Sequence, residues 1–401
     1  MTVQAVVDAV LTVLALLLFV PCSVLFLQLT AAFLTRTKEP SAAVLATDDS
    51  IAVLMPAHDE EAGIAYSIRS VLGQLRAGDR LLVIADNCSD RTAALARSLG
   101  AEVVERHDEQ LRGKGYALDH GVRALKDKPP SVVVVVDADC TLAPGALTLV
   151  AGACLAAGCP AQALYLMHAP QGAPLGLRVS AFAWLVKNKL RPLGGSRLGW
   201  PCQLMGTGMA FPWDVLSRAS LASGHLVEDM QLGMALTRAG TPPIHCPQAI
   251  VNGVFPSDPA GVASQRIRWE HGHLSIIASE LPLSLWRAAR HLDSRLMLMA
   301  LDLAVPPLAS LVLMLVLLFV VAAAWWSFVG GLLPLVLVGV SLVLVGSAVA
   351  LAWQQEGRRV LSVAELVYLP IYIATKVPLY LRLFTQRQVQ WVRTKRDGRE
   401  H

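Results

Sequence analysis

Val132-Val133-Val134-Val135-Val136-Asp137-Ala138-Asp139 is the stretch on which the fold of this chain turns. Five consecutive valines are too short a run for a buried helix and apolar on both faces, the pattern of a strand inside a parallel sheet. The run stops at two carboxylates, so the chain leaves the sheet at an acidic edge. The same grammar occurs twice upstream. Ile51 to Met55 is an apolar run ended by Pro56, after which Ile64, Ile68, Val71, Leu72 and Leu75 return at helical spacing. Arg80 to Ala85 is another run, stopping at Asp86-Asn87-Cys88-Ser89-Asp90, with Thr92 to Leu99 as the following helix. Strands alternating with helices in this way predict an α/β, Rossmann-like fold whose parallel sheet binds its ligand at the carboxyl ends of the strands.

Around this body the composition changes. Of the 401 residues 54% are apolar and only 16% charged, which is above the soluble norm and points to membrane segments. Val10 to Leu34 carries no charge and exceeds the ~20 helical residues that cross a hydrocarbon core. Arg36 and Lys38 follow it, so it reads as an uncleaved anchor whose exit lies on the cytoplasmic side. Leu296 to Val320 and Phe328 to Trp353 form a spanning hairpin with a hinge over Ala324 to Ser327, Asp302 and Pro306-Pro307 shortening or kinking the first arm. Arg287, Arg290 and Arg295 precede the hairpin and Arg358 and Arg359 follow it, which puts both flanks in the cytoplasm. Leu361 to Phe384 is interrupted by Glu365, Pro370, Lys376, Pro378 and Arg382 and reads as interfacial or re-entrant, ahead of a basic tail from Arg387 to Arg399. The expected organisation is an anchor over 1–38, a cytoplasmic body over 39–275, an interfacial helix over 276–294, the hairpin over 295–355 and the last segment with its tail over 356–401.

The net charge of +4 is modest, and the basic residues gather beside apolar segments, so membrane lipids rather than nucleic acid are the expected partners. Seven cysteines without a CxxC pair suit neither a zinc site nor a disulfide framework.

The polar motifs fall at the predicted sheet edge. Asp137 and Asp139 have the spacing to bind one hard divalent ion, Mg²⁺ or Mn²⁺, and equally to cap the turn before Pro144. Arg112-Gly113-Lys114-Gly115 places two cations on a glycine-flanked loop before a helix, a site for an anion or a solvated turn. Met205-Gly206-Thr207-Gly208-Met209 precedes Glu228 and Asp229 at a helix start, where a carboxylate either satisfies the helix dipole or serves as a general base. Gln265-Arg266-Ile267-Arg268-Trp269 supplies an amide, two guanidiniums and an indole just before the membrane.

In this order and at these separations the motifs from Ile51 to Trp269 resemble glycosyltransferase family 2, in particular its membrane-integrated branch of cellulose, chitin and hyaluronan synthases and ceramide glucosyltransferases. The resemblance implies a GT-A fold in which Pro56, Ala57, Asp59, Glu60 and Asp86 hold the nucleotide and Lys114 lies near the diphosphate. It makes Asp137 and Asp139 the DxD pair for donor and metal, Asp229 the catalytic base with Glu228 in support, and Gln265, Arg268 and Trp269 the QxxRW motif over the donor and acceptor groove. Gly206, Thr207 and Gly208 stand where cellulose synthases carry an acceptor motif, and so fall on the acceptor side. The implied activity is inverting transfer of a hexose from a UDP-sugar to a lipid or lipid-linked glycan, in a bacterial cell membrane. With so few membrane helices, transfer of one sugar is expected over the alternative of processive polysaccharide synthesis. A dead transferase acting as a scaffold is disfavoured because the carboxylates are all present.

Overall fold

The computed structural model describes residues 2–34, 45–225, 227–256, 258–374 and 377. Arg36, Lys38, Lys376, Pro378, Arg382 and the basic tail from Arg387 to Arg399, which enter the topology argument above, lie outside the described residues.

Eight strands, β1 (Ile51–Ala57), β2 (Arg80–Asp86), β3 (Glu102–Arg106), β4 (Val132–Val135), β5 (Thr141–Leu142), β6 (Ala161–His168), β7 (Met209–Pro212) and β8 (Ile244–Val254), form one sheet in the order β3-β2-β1-β4-β7-β6-β8-β5. The half containing the three anticipated strands is parallel. Beyond β4 the expectation of a purely parallel sheet fails: β7 runs antiparallel to β4 and to β6, and β5 antiparallel to β8. These added strands contain Gly, Pro and polar residues and have no clean period, which is why the valine run, but not its antiparallel neighbour, is visible in the sequence.

Helices cover both faces. Before the sheet comes α1 (Val3–Leu34); then follow α2 (Ile64–Leu72), α3 (Thr92–Ser98), α4 (Lys114–Ala124), α5 (Ala146–Ala157), α6 (Leu175–Leu185), α7 (Arg191–Arg197), α8 (Trp213–Leu216) and α9 (Glu228–Arg238). Ile64, Ile68, Leu147 and Val150 pack on the side of Val53, Met55, Val132 and Val134. Leu118, Val122, Leu216 and Leu236 pack on the side of Leu54, Val133 and Val135. The central strands are therefore buried on both sides, as a continuous apolar run requires. All seven cysteines are free thiols.

The remaining helices are α10 (Pro259–His291), α11 (Ser294–Leu303), α12 (Leu308–Val329), α13 (Leu332–Gln355), α14 (Val363–Leu366) and α15 (Leu369–Ala374). Among the described residues three helices, α1, α12 and α13, are long and apolar enough to cross a membrane, with 33%, 28% and 28% of their most apolar windows buried in protein. The expected first arm of the hairpin divides at Val305-Pro306-Pro307. Its beginning, α11, packs Leu296, Met299 and Leu303 against α9 and α10 instead of spanning. The hinge also moves. Ala324 to Ser327 stay helical, and the chain reverses at Gly330, whose φ of 100° only glycine adopts at little cost. The separate interfacial helix expected over 276–294 is the second half of α10, 33 residues and about 50 Å long, which carries the Gln265–Trp269 motif as well. Pro282 removes one backbone hydrogen bond without ending it, and an Arg238–Glu280 ion pair fixes it to α9. Trp286 on this half is 58% exposed with Arg290 stacked over its ring, as an interfacial position would require.

The helical part is joined to the sheet domain where α1 crosses α7. A Cβ on Gly194 would overlap the backbone carbonyl of Gln28, so glycine sets the approach of these helices. Gly194→Leu is expected to cost about 1–3 kcal/mol, read as a lowered thermal midpoint of the detergent-solubilised chain; an unchanged midpoint would show that this crossing does not hold the two parts together.

Candidate active site

The carboxyl ends of β1, β2 and β4 converge on one cavity of about 150 Å³, lined by Pro56, Ala57, His58, Glu60, Asp86, Asn87, Arg112, Lys114, Asp137, Asp139 and Arg268. Asp59 takes the left-handed conformation, φ 50°, and its Oδ1 accepts the backbone N–H groups of Ser89 at 2.6 Å and Asp90 at 3.3 Å. Burial alone would raise the Asp59 pKa, but these donors and His58 hold it below the usual value. The β1 loop is thereby tied to the β2 loop. Asp86 is 8% exposed and its Oδ1 accepts Arg106 Nη1 at 2.7 Å, while Arg106 also lies over the ring of Tyr116. Arg106 is a site residue that the sequence reading missed. It ends β3, an edge strand with little apolar signal, and only strand order sets it beside Asp86.

A second cavity of about 160 Å³ adjoins the first through Lys114, Asp137, Asp139 and Arg268. Lys114 starts α4 and donates to Asp137 Oδ1 and, at 2.6 Å, to the carbonyl of Gly206. Burial disfavours its charge, yet Asp137, Glu228 and Asp229 outweigh that and hold its pKa above the usual lysine value. Glu228 and Asp229 open α9 and face the same cavity. Burial, then the neighbouring Asp229, pushes Glu228 up to about 7, and burial likewise raises Asp229. Lys114 and Lys187 both act on Asp229 through space, and burial favours the protonated forms of Glu228 and Asp229.

The Gly206–Gly208 turn divides its residues between two tasks. Gly206 lines the cavity, where a Cβ would stand 3.3 Å from Asp229 Oδ2. Thr207 is fully buried and accepts the backbone N–H of Asp137 at 3.0 Å, while the Gly208 N–H donates to Val135 at 2.8 Å. Of the three residues expected on the acceptor side, Thr207 and Gly208 therefore lie behind the acidic strand end and shape it from within.

From α10, Gln265, Arg268 and Trp269 enter the second cavity together. Trp269 packs against Trp184 of α6 with ring centroids 4.7 Å apart, and Trp184 Nε1 donates to the Tyr165 carbonyl at 3.1 Å. Trp184 also borders the cavity, whereas Trp200 packs on the α1 cluster and Trp213 on the sheet.

The donor set suits a hard divalent cation. Oxygens of Asp137 and Asp139 and the Cys140 sulfur lie within 4.8 Å of one another; the buried Cys140 thiol lies 3.6 Å from both Asp139 Oδ1 and Tyr165 Oη, so the two carboxylates are the hard ligands this group offers, with positions open to phosphate. The Lys114 ammonium on Asp137 marks the place where positive charge is already favoured.

Residues 48–272, more than half of the chain, match the family described as Glycosyltransferase like family 2. The chain belongs to that family. An uncharacterized glycosyltransferase of Mycobacterium tuberculosis (strain ATCC 25618 / H37Rv) is 31% identical over 192 residues, spanning 45% of this chain and 83% of that protein. A dolichyl-phosphate hexose transferase of Haloferax volcanii is 36% identical over 95 residues, 24% of this chain and 39% of that protein. The solved mannosyltransferase PcManGT from Pyrobaculum calidifontis, in complex with GDP-Man and Mn²⁺, aligns with a TM-score of 0.50 at 16% identity over 86% of this chain and 100% of that one. That likeness is one of fold, and the mixed sheet of this family 2 glycosyltransferase is of the GT-A type.

An ion shared by Asp137 and Asp139 would have a simple signature. Asp139→Asn is expected to weaken Mn²⁺ binding by about tenfold or more, measured by titration calorimetry on the full chain with UDP present; affinity equal to that of the wild type would remove Asp139 from the metal site.

Proposed function

We propose that this glycosyltransferase is a multi-pass enzyme of the bacterial cell membrane that moves one hexose, with inversion, from a UDP-sugar to a lipid or lipid-linked glycan on the cytoplasmic face. The observation that carries the reading is the continuity of three spaces: the donor cavity at the strand ends, the cavity of Glu228 and Asp229, and a third, apolar cavity among the helices that shares Gln265 and Trp269 with the second. A donor is thereby offered to an acceptor that arrives from the bilayer. The Haloferax volcanii relative, named for a lipid phosphate and a hexose, supports a lipid acceptor. Arg287, Arg290 and Arg295 before the α12–α13 hairpin and Arg358 and Arg359 after it support a cytoplasmic catalytic domain over 39–275, between an anchor over 1–38 and the membrane helices beyond. This organisation belongs with the membrane-integrated branch of the family.

In this reading Pro56, Ala57, Asp59, Glu60 and Asp86 border the nucleotide, and Lys114 and Arg268 reach the diphosphate from opposite sides. Asp137 and Asp139 would hold Mg²⁺ or Mn²⁺, which would supply positive charge for the leaving diphosphate. Asp229 takes the proton of the attacking hydroxyl, and the Glu228 carboxylate beside it keeps Asp229 basic while both are ionised. Trp269, braced by Trp184, limits where the acceptor sugar or headgroup can stand.

The test uses the full chain in nanodiscs with labelled UDP-hexose, Mn²⁺ and total membrane lipid. One discrete glycolipid is expected, and a ladder of products would make the enzyme processive. Asp229→Asn is expected to lower kcat by about 10²–10⁴-fold with donor affinity retained; undiminished turnover would remove Asp229 as base. A base must be ionised, so the wild-type rate is expected to fall as pH drops through about 7, where Glu228 and its partner take up a proton. A rate that is flat from pH 8 to 5.5 would contradict this.

A further inference from the structure

The apolar cavity measures about 360 Å³ and lies between α1, α6, α10 and α13, with Leu25, Phe182, Val305, Pro307, Leu342 and Val345 in its wall. At its inner end the wall changes character, and Lys187, Arg191, Gln265 and His273 belong to this cavity and to the catalytic one alike. The cations at or near that junction are not equivalent. Arg191 donates to Gln28 at 3.0 Å and to Asp302 at 2.9 Å, and Arg266 donates to Ser180 at 2.5 Å beneath the ring of Tyr372. Lys187 takes part in no hydrogen bond or salt bridge among the described residues, so its three N–H donors are available. It stands on a π-helical turn, Val186–Leu190, between α6 and α7, where the wider turn aims Lys187 and Arg191 at the same junction. The charged groups that act on it through space are Asp229, Arg191, Asp302 and Glu270, and burial lowers its pKa despite the carboxylates among them. A ligand passing from the bilayer to the base thus meets a largely apolar wall that also holds Glu270, then an ammonium, then the carboxylates of the catalytic cavity.

We propose that the acceptor is a lipid with an anionic linkage, a phosphate or diphosphate, between its tail and the hydroxyl that receives the sugar, and that Lys187 binds that anion. This rests on the lipid-acceptor reading above and adds the charge of the acceptor to it. The order of the walls is the argument: a neutral lipid leaves the desolvated ammonium without a hydrogen-bond acceptor, whereas an anion at the junction accepts its N–H groups and fixes how deep the hydroxyl reaches toward Asp229.

The test compares phosphatidate with diacylglycerol of the same acyl chains as probes, retention on the solubilised full chain being measured by native mass spectrometry. Wild type is expected to prefer phosphatidate by about tenfold or more, Lys187→Arg to keep the preference, and Lys187→Met to lose most of it at an unchanged thermal midpoint. Ala183→Phe, which fills the tail cavity, is expected to release both lipids. Equal retention of the two lipids, or a preference that survives in Lys187→Met or Ala183→Phe, would overturn the proposal, the last case marking lipid bound only at the outer surface. Displacement of phosphatidate by millimolar inorganic phosphate would reduce the site to one for free phosphate and overturn it too. Mn²⁺-dependent UDP-hexose cleavage is followed on the same samples: its absence beside an intact lipid preference sinks the transferase reading and leaves the anion site standing.

Discussion

Arg191, Gln28 and Asp302 form the polar node on which the arrangement of the molecule depends. Each belongs to a different helix, α7, α1 and α11, and they are joined by contacts of 2.6 to 3.0 Å in surroundings that are largely closed to solvent. A guanidinium taken out of water must be paired and hydrogen-bonded, and removing one member of such a group commonly costs about 3–5 kcal/mol. The cost of leaving the others unpaired makes the node discriminating: only one relative placement of anchor, linker helix and α11 satisfies all three groups. That placement fixes the π-helical turn, and with it the junction between the catalytic and apolar cavities.

The catalytic cavity obeys the same rule of compensation with the opposite sign. Asp137, Asp139, Glu228 and Asp229 face one space, and a fixed cation, Lys114, bridges the DxD strand end and the Gly206 turn. Carboxylates crowded and buried in one space favour protonation of Glu228 and Asp229 and the charged form of Lys114. The apolar cavity, by contrast, has Lys187 at its junction with the catalytic one. The two cavities thus differ in charge as well as in lining.

Local signals were legible where chemistry and chain direction coincide. The valine run identifies β4 and its end identifies the acidic pair, because strand period and strand termination are written in adjacent residues. The membrane helices were legible by length, but their edges were not: the α12–α13 reversal waits for Gly330 because alanine, tryptophan and serine all continue a helix, and α11 peels away at Pro306-Pro307. The single helix carrying both the Gln265–Trp269 motif and the expected interfacial segment was hidden by Pro282, which the packing of α10 on α9 and α11 tolerates.

The sequence by itself determined the family-like order of motifs, the parallel half of the sheet and the carboxylates at its strand ends, since each of these rests on neighbours in the chain. Tertiary structure alone decided that Arg106 neutralises Asp86, that Thr207 supports Asp137 from behind the sheet, and that Lys187 stands where the carboxylate-lined and apolar cavities meet. Those roles depend on partners 20 residues apart in the first case and 70 in the second. Burial, which sets their electrostatics, exists only once the chain has folded around them.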